Sequence, residues 1–420
     1  MGNKKLNSEE RKILTLASLG GMLEFYDFVI YGIFSVYFAK QFFPSNDPVM
    51  SIIESYVVFL LGYIARPIGG IIFSHIGDDK GRKHVLIITV GLMGLSSFGI
   101  GLLPTHSTIG IFAPITLLVL RLIQGLALGG ELPSTYVYVA ESMSSRHGTS
   151  FGVTMFGVNS GLLIGVLVND VLSMIMSSQE IARFGWRIPF IIGGMLCLVS
   201  YKIRKSLHET TAFKQIEDKP TFPLLFLLRY HLPQVIIGIL TTSIMSVLVV
   251  GAIIFMPTYL QNILKIDSKL VGHVMLCAMI INVIGIFVCG RIADYIHPRQ
   301  IMKFLLIMSF IFIPISYYLI GNGWVYLGAN ILALLEGISA MIVPFLLTQL
   351  FEAKIRLSGV AISYNIGFTI FGGMTPMMIS AIIEAHGNPV LTPMVYLLVV
   401  TLLATCGTIY SSSLNKRHKQ

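Results

Sequence analysis

Apolar residues fall in twelve long runs separated by short polar breaks, at about 13–40, 51–75, 84–104, 110–140, 149–177, 186–203, 231–262, 270–294, 300–320, 323–350, 357–384 and 390–412. Each is close to or above the roughly 20 apolar residues that a helix needs to cross the hydrocarbon core. Tilt absorbs the excess of the longer ones. The longest polar stretch, 203–230, divides the runs six and six. The pattern predicts an all-α membrane protein with twelve transmembrane helices in two six-helix bundles. Residues 1–202 form the first bundle, 203–230 a cytoplasmic linker, and 231–420 the second bundle with a short basic tail.

Composition agrees. Of 420 residues 55% are hydrophobic and 12% charged, against about 25% charged in soluble domains. The first run follows basic residues, as a signal peptide does, but it is too long, carries acids and has no small-residue cleavage site after it. It is expected to stay as the first span. Basic residues fix the orientation by the positive-inside rule. With the N-terminus in the cytoplasm, 22 of the 29 lie in cytoplasmic segments, five outside (Lys40, Arg183, Arg187, Lys265, Lys269) and two, Arg66 and Arg121, within spans. Both termini are therefore expected inside. Trp186 and Trp324 fall near outer span ends and read as interfacial anchors. The four cysteines sit in apolar runs without metal-type spacing and read as small core residues. No metal, nucleic acid or organic cofactor is implied.

The halves echo each other. Gly77-Asp78-Asp79-Lys80-Gly81-Arg82-Lys83 follows the second run, and Gly290-Arg291-Ile292-Ala293-Asp294 follows the eighth. Glu141 and Arg146 after the fourth run match Glu352 and Arg356 after the tenth, and Gln124-Gly125 matches Glu336-Gly337. Repeated halves are the usual basis of alternating access, with a site near the midplane.

Ionisable residues inside the runs carry the candidate chemistry. A charge at mid-membrane costs at least about 2.5–3.5 kcal/mol on insertion scales. Glu24 and Asp27 share one face of the first helix, because residues three apart are neighbours there. Glu131 lies in the fourth. These three are candidates for proton coupling, Asp27 as acceptor with Glu24 or Glu131 sharing the relay, and Arg66 and Arg121 are the available counter-charges. The same residues also fit a permanent ion-pair lattice. Arg121 suits a substrate carboxylate, which a guanidinium binds in a two-pronged fork. Gln124 lies on its stripe. Arg66, Tyr26, Tyr31, Tyr136 and Asn365 are further candidates for the substrate site, the tyrosines through cation–π contact; helix packing is the other reading for each. Asp78, Gly81, Arg82, Glu141, Arg146, Asp294, Glu352 and Arg356 read as gating residues, Asp78 pairing with neighbouring helix ends and Glu141/Arg146 and Glu352/Arg356 forming pairs. Solvated loops that serve topology alone are the alternative.

At this point the chain resembles the major facilitator superfamily. Gly77 to Arg82 is similar to its cytoplasmic loop motif, and Arg121-Leu122-Ile123-Gln124-Gly125 to its fourth-helix motif. Leu23-Glu24-Phe25-Tyr26-Asp27-Phe28, Ala65-Arg66-Pro67-Ile68-Gly69-Gly70, Gly129-Gly130-Glu131, Gly185-Trp186-Arg187-Ile188-Pro189-Phe190 and Arg204-Lys205-Ser206-Leu207-His208-Glu209-Thr210 resemble the metabolite:proton symporter family, with its proline/betaine and dicarboxylate carriers. The resemblance implies the superfamily's twelve-helix fold and proton-driven import of a small metabolite such as an amino acid, betaine or organic acid. Its partners would be the substrate, protons and the inner (plasma) membrane, in a chain working as a monomer. An exchanger or exporter is the alternative; Gly161 and Gly165 lack the proline of the drug-exporter motif. An embedded enzyme is not expected, for no nucleophile constellation appears.

Overall fold

The computed structural model describes residues 6–44, 48–216 and 222–417. Lys4, Lys5, Lys219 and Lys419 of the charge pattern lie outside the described residues. The regular structure among the described residues is helical: α1 Ser8–Phe42, α2 Pro48–Asp79, α3 Arg82–Leu102, α4 Phe112–Ser142, α5 His147–Ile175, α6 Arg187–Arg204, α7 Leu232–Leu248, α8 Ser268–Ile292, α9 Pro298–Gly321, α10 Val325–Leu350, α11 Arg356–Gly367 and α12 Leu391–Arg417. Among the described residues, eleven spans are long and apolar enough to cross a membrane, and α6 makes a twelfth if counted as one span with Ser178–Gly185, to which it is bent by 46°. α7 and α11 continue through π-type turns, Val249–Ile254 and Phe368–Gly372. The twelve expected spans are thus present. α1 begins earlier than its apolar run because Asn7 and Glu10 close a capping box around its first turn, which satisfies two otherwise orphaned N–H groups.

Contacts group the chain into two compact units. One comprises Asn7–Ser142 with Gly157–Thr221, here the first bundle; the other comprises Met143–Phe156 with Phe222–Gln420, here the second. Residues assigned to the linker from the sequence, Arg204 to Phe213, pack on the first bundle: Tyr138 Oη donates to His208 O at 2.5 Å, and Phe213 lies under the Arg82 guanidinium at 4.9 Å.

Within the first bundle, small residues set the spacing of the helices. A Cβ on Gly125 would collide with Gly62 O, on Gly69 with Leu126 O and on Gly129 with Arg66 O. α2 and α4 therefore meet backbone to backbone, which side chains would prevent. α10 and α8 repeat the arrangement in the second bundle, where Gly337 abuts Asn282 O. Gly32 is the contrast, with nothing within 4 Å of its hypothetical Cβ. Gly125→Ala is expected to lower the thermal midpoint of the purified protein, since the obstacle is backbone and cannot yield. Gly32→Ala is expected to raise it, by the roughly 0.5–1 kcal/mol that separates Ala from Gly inside a helix. Differential scanning fluorimetry of both variants reads the two signs.

The tryptophans divide. Trp324 is 66% exposed, as an anchor would be. Trp186 corrects its expected role: it is fully buried, with Phe38, Phe42 and Phe190 at ring-centroid distances of 5.0, 5.7 and 6.2 Å and Arg187 stacked on it at 4.4 Å. The bend before α6 turns its indole onto α1.

Candidate functional site

Charged residues of the first bundle's spans form three clusters. The first is built on α4, where helical periodicity puts Arg121, Gln124, Leu128 and Glu131 on one stripe. Arg121 Nη1 donates to Gln124 Oε1 at 2.7 Å. Gln124 Nε2 donates to Asp27 Oδ2 at 2.5 Å and to Ser97 Oγ at 2.8 Å, and Ser97 Oγ donates to Asp27 Oδ1 at 2.5 Å. Arg121 Nη1 stands 3.8 Å from Asp27 Oδ2 and its guanidinium lies 3.9 Å over the Tyr31 ring. Tyr31 is held in turn by Ser55 at 3.3 Å. Six of the expected or adjoining groups thus form one buried network. Both Asp27 oxygens are occupied, and hydrogen bonds to a carboxylate stabilise its charged form.

The second cluster surrounds Glu131. Its Oε1 accepts from Arg204 Nη2 at 2.6 Å and its Oε2 from Thr89 Oγ1 at 2.5 Å. Arg204 Nη1 donates to Leu86 O at 2.7 Å, and Gly20 on α1 leaves the room in which the guanidinium sits. This corrects the sequence reading. Glu131 has Arg204 as its counter-charge, where Arg66 and Arg121 were expected, and Arg204 is itself buried. Glu24 has a different environment. It is 1% exposed, neither carboxylate oxygen has a hydrogen-bond partner, and the charges acting on it are Arg66, Glu131 and Arg204.

The third cluster lies where α2 and α3 meet. Arg82 is fully buried, with Nη1 3.1 Å from Asp78 Oδ1 and Nε 3.3 Å from Glu141 Oε2. Arg82 Nη1 also donates to Gly77 O at 2.7 Å, and Thr210 Oγ1 donates to Glu141 at 2.8 Å. Glu209 accepts from the backbone N–H groups of Arg82 and Lys83, both at 3.1 Å, and so caps α3. A carboxylate there also meets the positive end of the helix dipole. Gly81 holds φ +112°, open to glycine alone, and a Cβ there would strike Glu209. Asp78, Gly81, Arg82 and Glu141 are therefore brought together. Glu141 pairs with Arg82; Arg146 belongs to the second bundle.

Among the remaining candidates, Tyr26 Oη donates to Pro189 O at 3.0 Å, Tyr136 is fully buried in α4, and Arg66 is buried in α2. Asn365 donates to Ala361 O at 2.9 Å within its own helix. Asp294 accepts from the Thr149 N–H at 3.0 Å and Oγ1 at 2.5 Å, capping α5 within the second bundle. The expected Glu352/Arg356 pair is replaced: Glu352 meets Lys354 at 3.2 Å, partly in solvent, and Arg356 Nε donates to Phe351 O at 3.2 Å. A two-residue spacing puts Lys354 nearer than Arg356 in the turn before α11. Arg204 and Glu209 are the residues whose role sequence reasoning missed, although both stand in a stretch that carried the family resemblance.

Comparison with known proteins places the chain in a family. Residues 17–376 match the family described as the Major Facilitator Superfamily. The proline/betaine transporter of Salmonella typhimurium is 30% identical over 410 residues, covering 94% of this chain and 81% of its own. The glycine betaine/proline/ectoine/pipecolic acid transporter OusA of Dickeya dadantii is 29% identical over 424 residues, covering 97% and 84%. Among solved structures, the proton:xylose symporter XylE superposes with a TM-score of 0.77 at 15% identity over 97% of this chain and 96% of that one, and FucP in its outward conformation with 0.66 at 14% over 94% and 99%. The fold, the membrane spans and the family match together make the chain a multi-pass transporter rather than an enzyme, and it belongs to the major facilitator superfamily.

Proposed function

We propose that this transporter is a proton-driven importer of a small zwitterion, working by alternating access in the plasma membrane with both termini cytoplasmic and one chain as the working unit. The observation that carries the reading is the buried Arg121–Gln124–Asp27 network with Glu24 left unpartnered on the same helix as Asp27. Arg121 and Asp27 at 3.8 Å present one charge of each sign. A zwitterion brings the complementary pair, its carboxylate to the guanidinium and its ammonium to Asp27 and the Tyr31 ring. The names of the two relatives, which specify proline and betaine, support that substrate class over a dicarboxylate.

Proton coupling is assigned to Glu24, with Asp27 and Glu131 as its neighbours. An unpaired buried carboxylate is costly when ionised and far less so when neutral. Among the described residues Glu24 is a buried acid of the first bundle with neither carboxylate oxygen hydrogen-bonded, whereas Asp27 and Glu131 are held by donors. The Asp78–Arg82–Glu141 cluster acts as a latch that is released as the bundle changes state, and protons are the coupling ion.

Uptake into proteoliposomes tests the reading. With the outside acid, labelled proline or glycine betaine is expected to accumulate above its equilibrium level, and a protonophore to collapse the gradient. Accumulation only with the proton gradient reversed would make the chain an exchanger or exporter. Uptake of a dicarboxylate in preference to either zwitterion would overturn the substrate class.

A further inference from the structure

The second bundle holds an acid that the proposed mechanism does not use. Glu336 stands midway along α10 and is fully buried. Its Oε2 accepts a hydrogen bond from the Asn282 amide on α8, whose Nδ2 also donates to Ala333 O at 3.0 Å. Its Oε1 is buried without a hydrogen-bond partner. Among the described residues no basic side chain forms an ion pair with it.

The surroundings explain why. The elements packed on α10 include α7 with its π-turn Val249–Ile254, α8, α9 and α11, and His147 and Phe151 of α5 stack on Phe345, nine residues from Glu336 along α10. α7 has no titratable residue. α8 carries Lys269, His273, Cys277, Cys289 and Arg291, of which His273 and Arg291 lie nine residues from Asn282, about 14 Å along the axis at 1.5 Å per residue. α9 contributes Arg299 and Lys303 in its first turns and Tyr317 and Tyr318 near its end, and α11 contributes Arg356 and Tyr364. None of these forms an ion pair with Glu336, and the side chain that hydrogen-bonds it is Asn282.

The internal repeat sharpens the point. Glu336-Gly337 occupies the place of Gln124-Gly125, and Gly337 and Gly125 do the same work, each admitting the carbonyl of the facing helix. Three residues before Gln124 stands Arg121; three before Glu336 stands Ala333. The second bundle therefore keeps the packing and replaces an amide beside a guanidinium with an acid that has no cation. Burying an ionised carboxylate on those terms is far costlier than burying the neutral acid.

We propose that Glu336 is a proton-binding site of the second bundle. It holds its proton on the carboxyl group while buried, with Asn282 as its positioning residue. It releases that proton to water, leaving a carboxylate, when rearrangement opens Oε1 to solvent. The ligand is a proton rather than a metal ion, because Asn282 offers N–H donors here and one carboxylate is too few oxygens for a hard cation. Its use in transport rests on the proton-coupled reading; its protonation does not.

Infrared spectroscopy of the full-length protein in lipid, stepped in bulk pH, tests this without transport. The expected result is a protonated-carboxyl C=O band that bleaches as pH rises. It should be absent in Glu336→Gln, shifted in Asn282→Ala, where its hydrogen bond is lost, and retained in Glu24→Gln. A spectrum in which neither Glu336→Gln nor Asn282→Ala changes any carboxyl band overturns the proposal. So does a Glu336 band that ignores pH wherever the protein stays folded, which would make it a fixed structural acid. A titrating band in a protein that no proton gradient drives would uphold this site and refute the coupling reading.

Discussion

Glu24→Gln is expected to reduce proton-driven accumulation to the level of empty vesicles while leaving exchange of internal for external substrate measurable. The amide copies the shape and neutrality of the protonated acid, so the variant behaves as a carrier whose proton never leaves. Glu24 has no hydrogen bond for the substitution to break, and folding should be preserved. Asp27→Asn is the informative contrast. It would turn an N–H toward the Ser97 hydroxyl or the Gln124 amide, both of which now donate to Asp27, and exchange itself should weaken. Counterflow and gradient-driven uptake, measured on the same vesicles, separate loss of coupling from loss of binding. Full accumulation by Glu24→Gln would move the proton to Asp27.

Arg204→Met is expected to destabilise the first bundle by about 3–5 kcal/mol, the typical cost of breaking a buried ion pair from one side. Glu131 would keep the Thr89 hydroxyl but lose its cation, at a site 1% exposed. The double variant Arg204→Met/Glu131→Leu should recover most of that loss, because replacing both partners by apolar groups removes the stranded charge. Thermal unfolding of the four proteins in one detergent gives the cycle. Equal losses in the single and double variants would show that Arg204 acts through its bond to Leu86 O instead.

The spans were legible because a bilayer demands long apolar runs, and each run is interrupted by residues that lipid excludes. The Arg121–Gln124 contact was legible from spacing on one helix, and the Asp78–Arg82 pair from the loop motif. The Arg204–Glu131 pair was not. Arg204 follows Lys202 and precedes Lys205 at the end of an apolar run, and a charge tally assigns all three to solvent. Helical side chains tilt toward their own N-terminus, so a last-turn residue on the inner face reaches back into the bundle. Arg204 does so while Lys202 and Lys205 stay exposed. Which face points inward is a tertiary fact. Trp186 failed for the same reason: the bend at Gly185 redirects a residue that belt statistics place in the interface. The Glu141 pairing depended on Arg82 lying at the end of another helix, a distance of 59 residues that loop spacing cannot express.

The two tryptophans give the protein a pair of built-in optical reporters, one per unit. Trp186 sits in a dry aromatic nest with a guanidinium on its face, an environment of short-wavelength emission shielded from aqueous quenchers. Trp324, at the start of α10, stands two-thirds open. One excitation wavelength therefore reads both units, and quencher access tells them apart. The removal of either indole leaves a single-channel instrument, in which α6 and α10 can be followed separately without an attached dye.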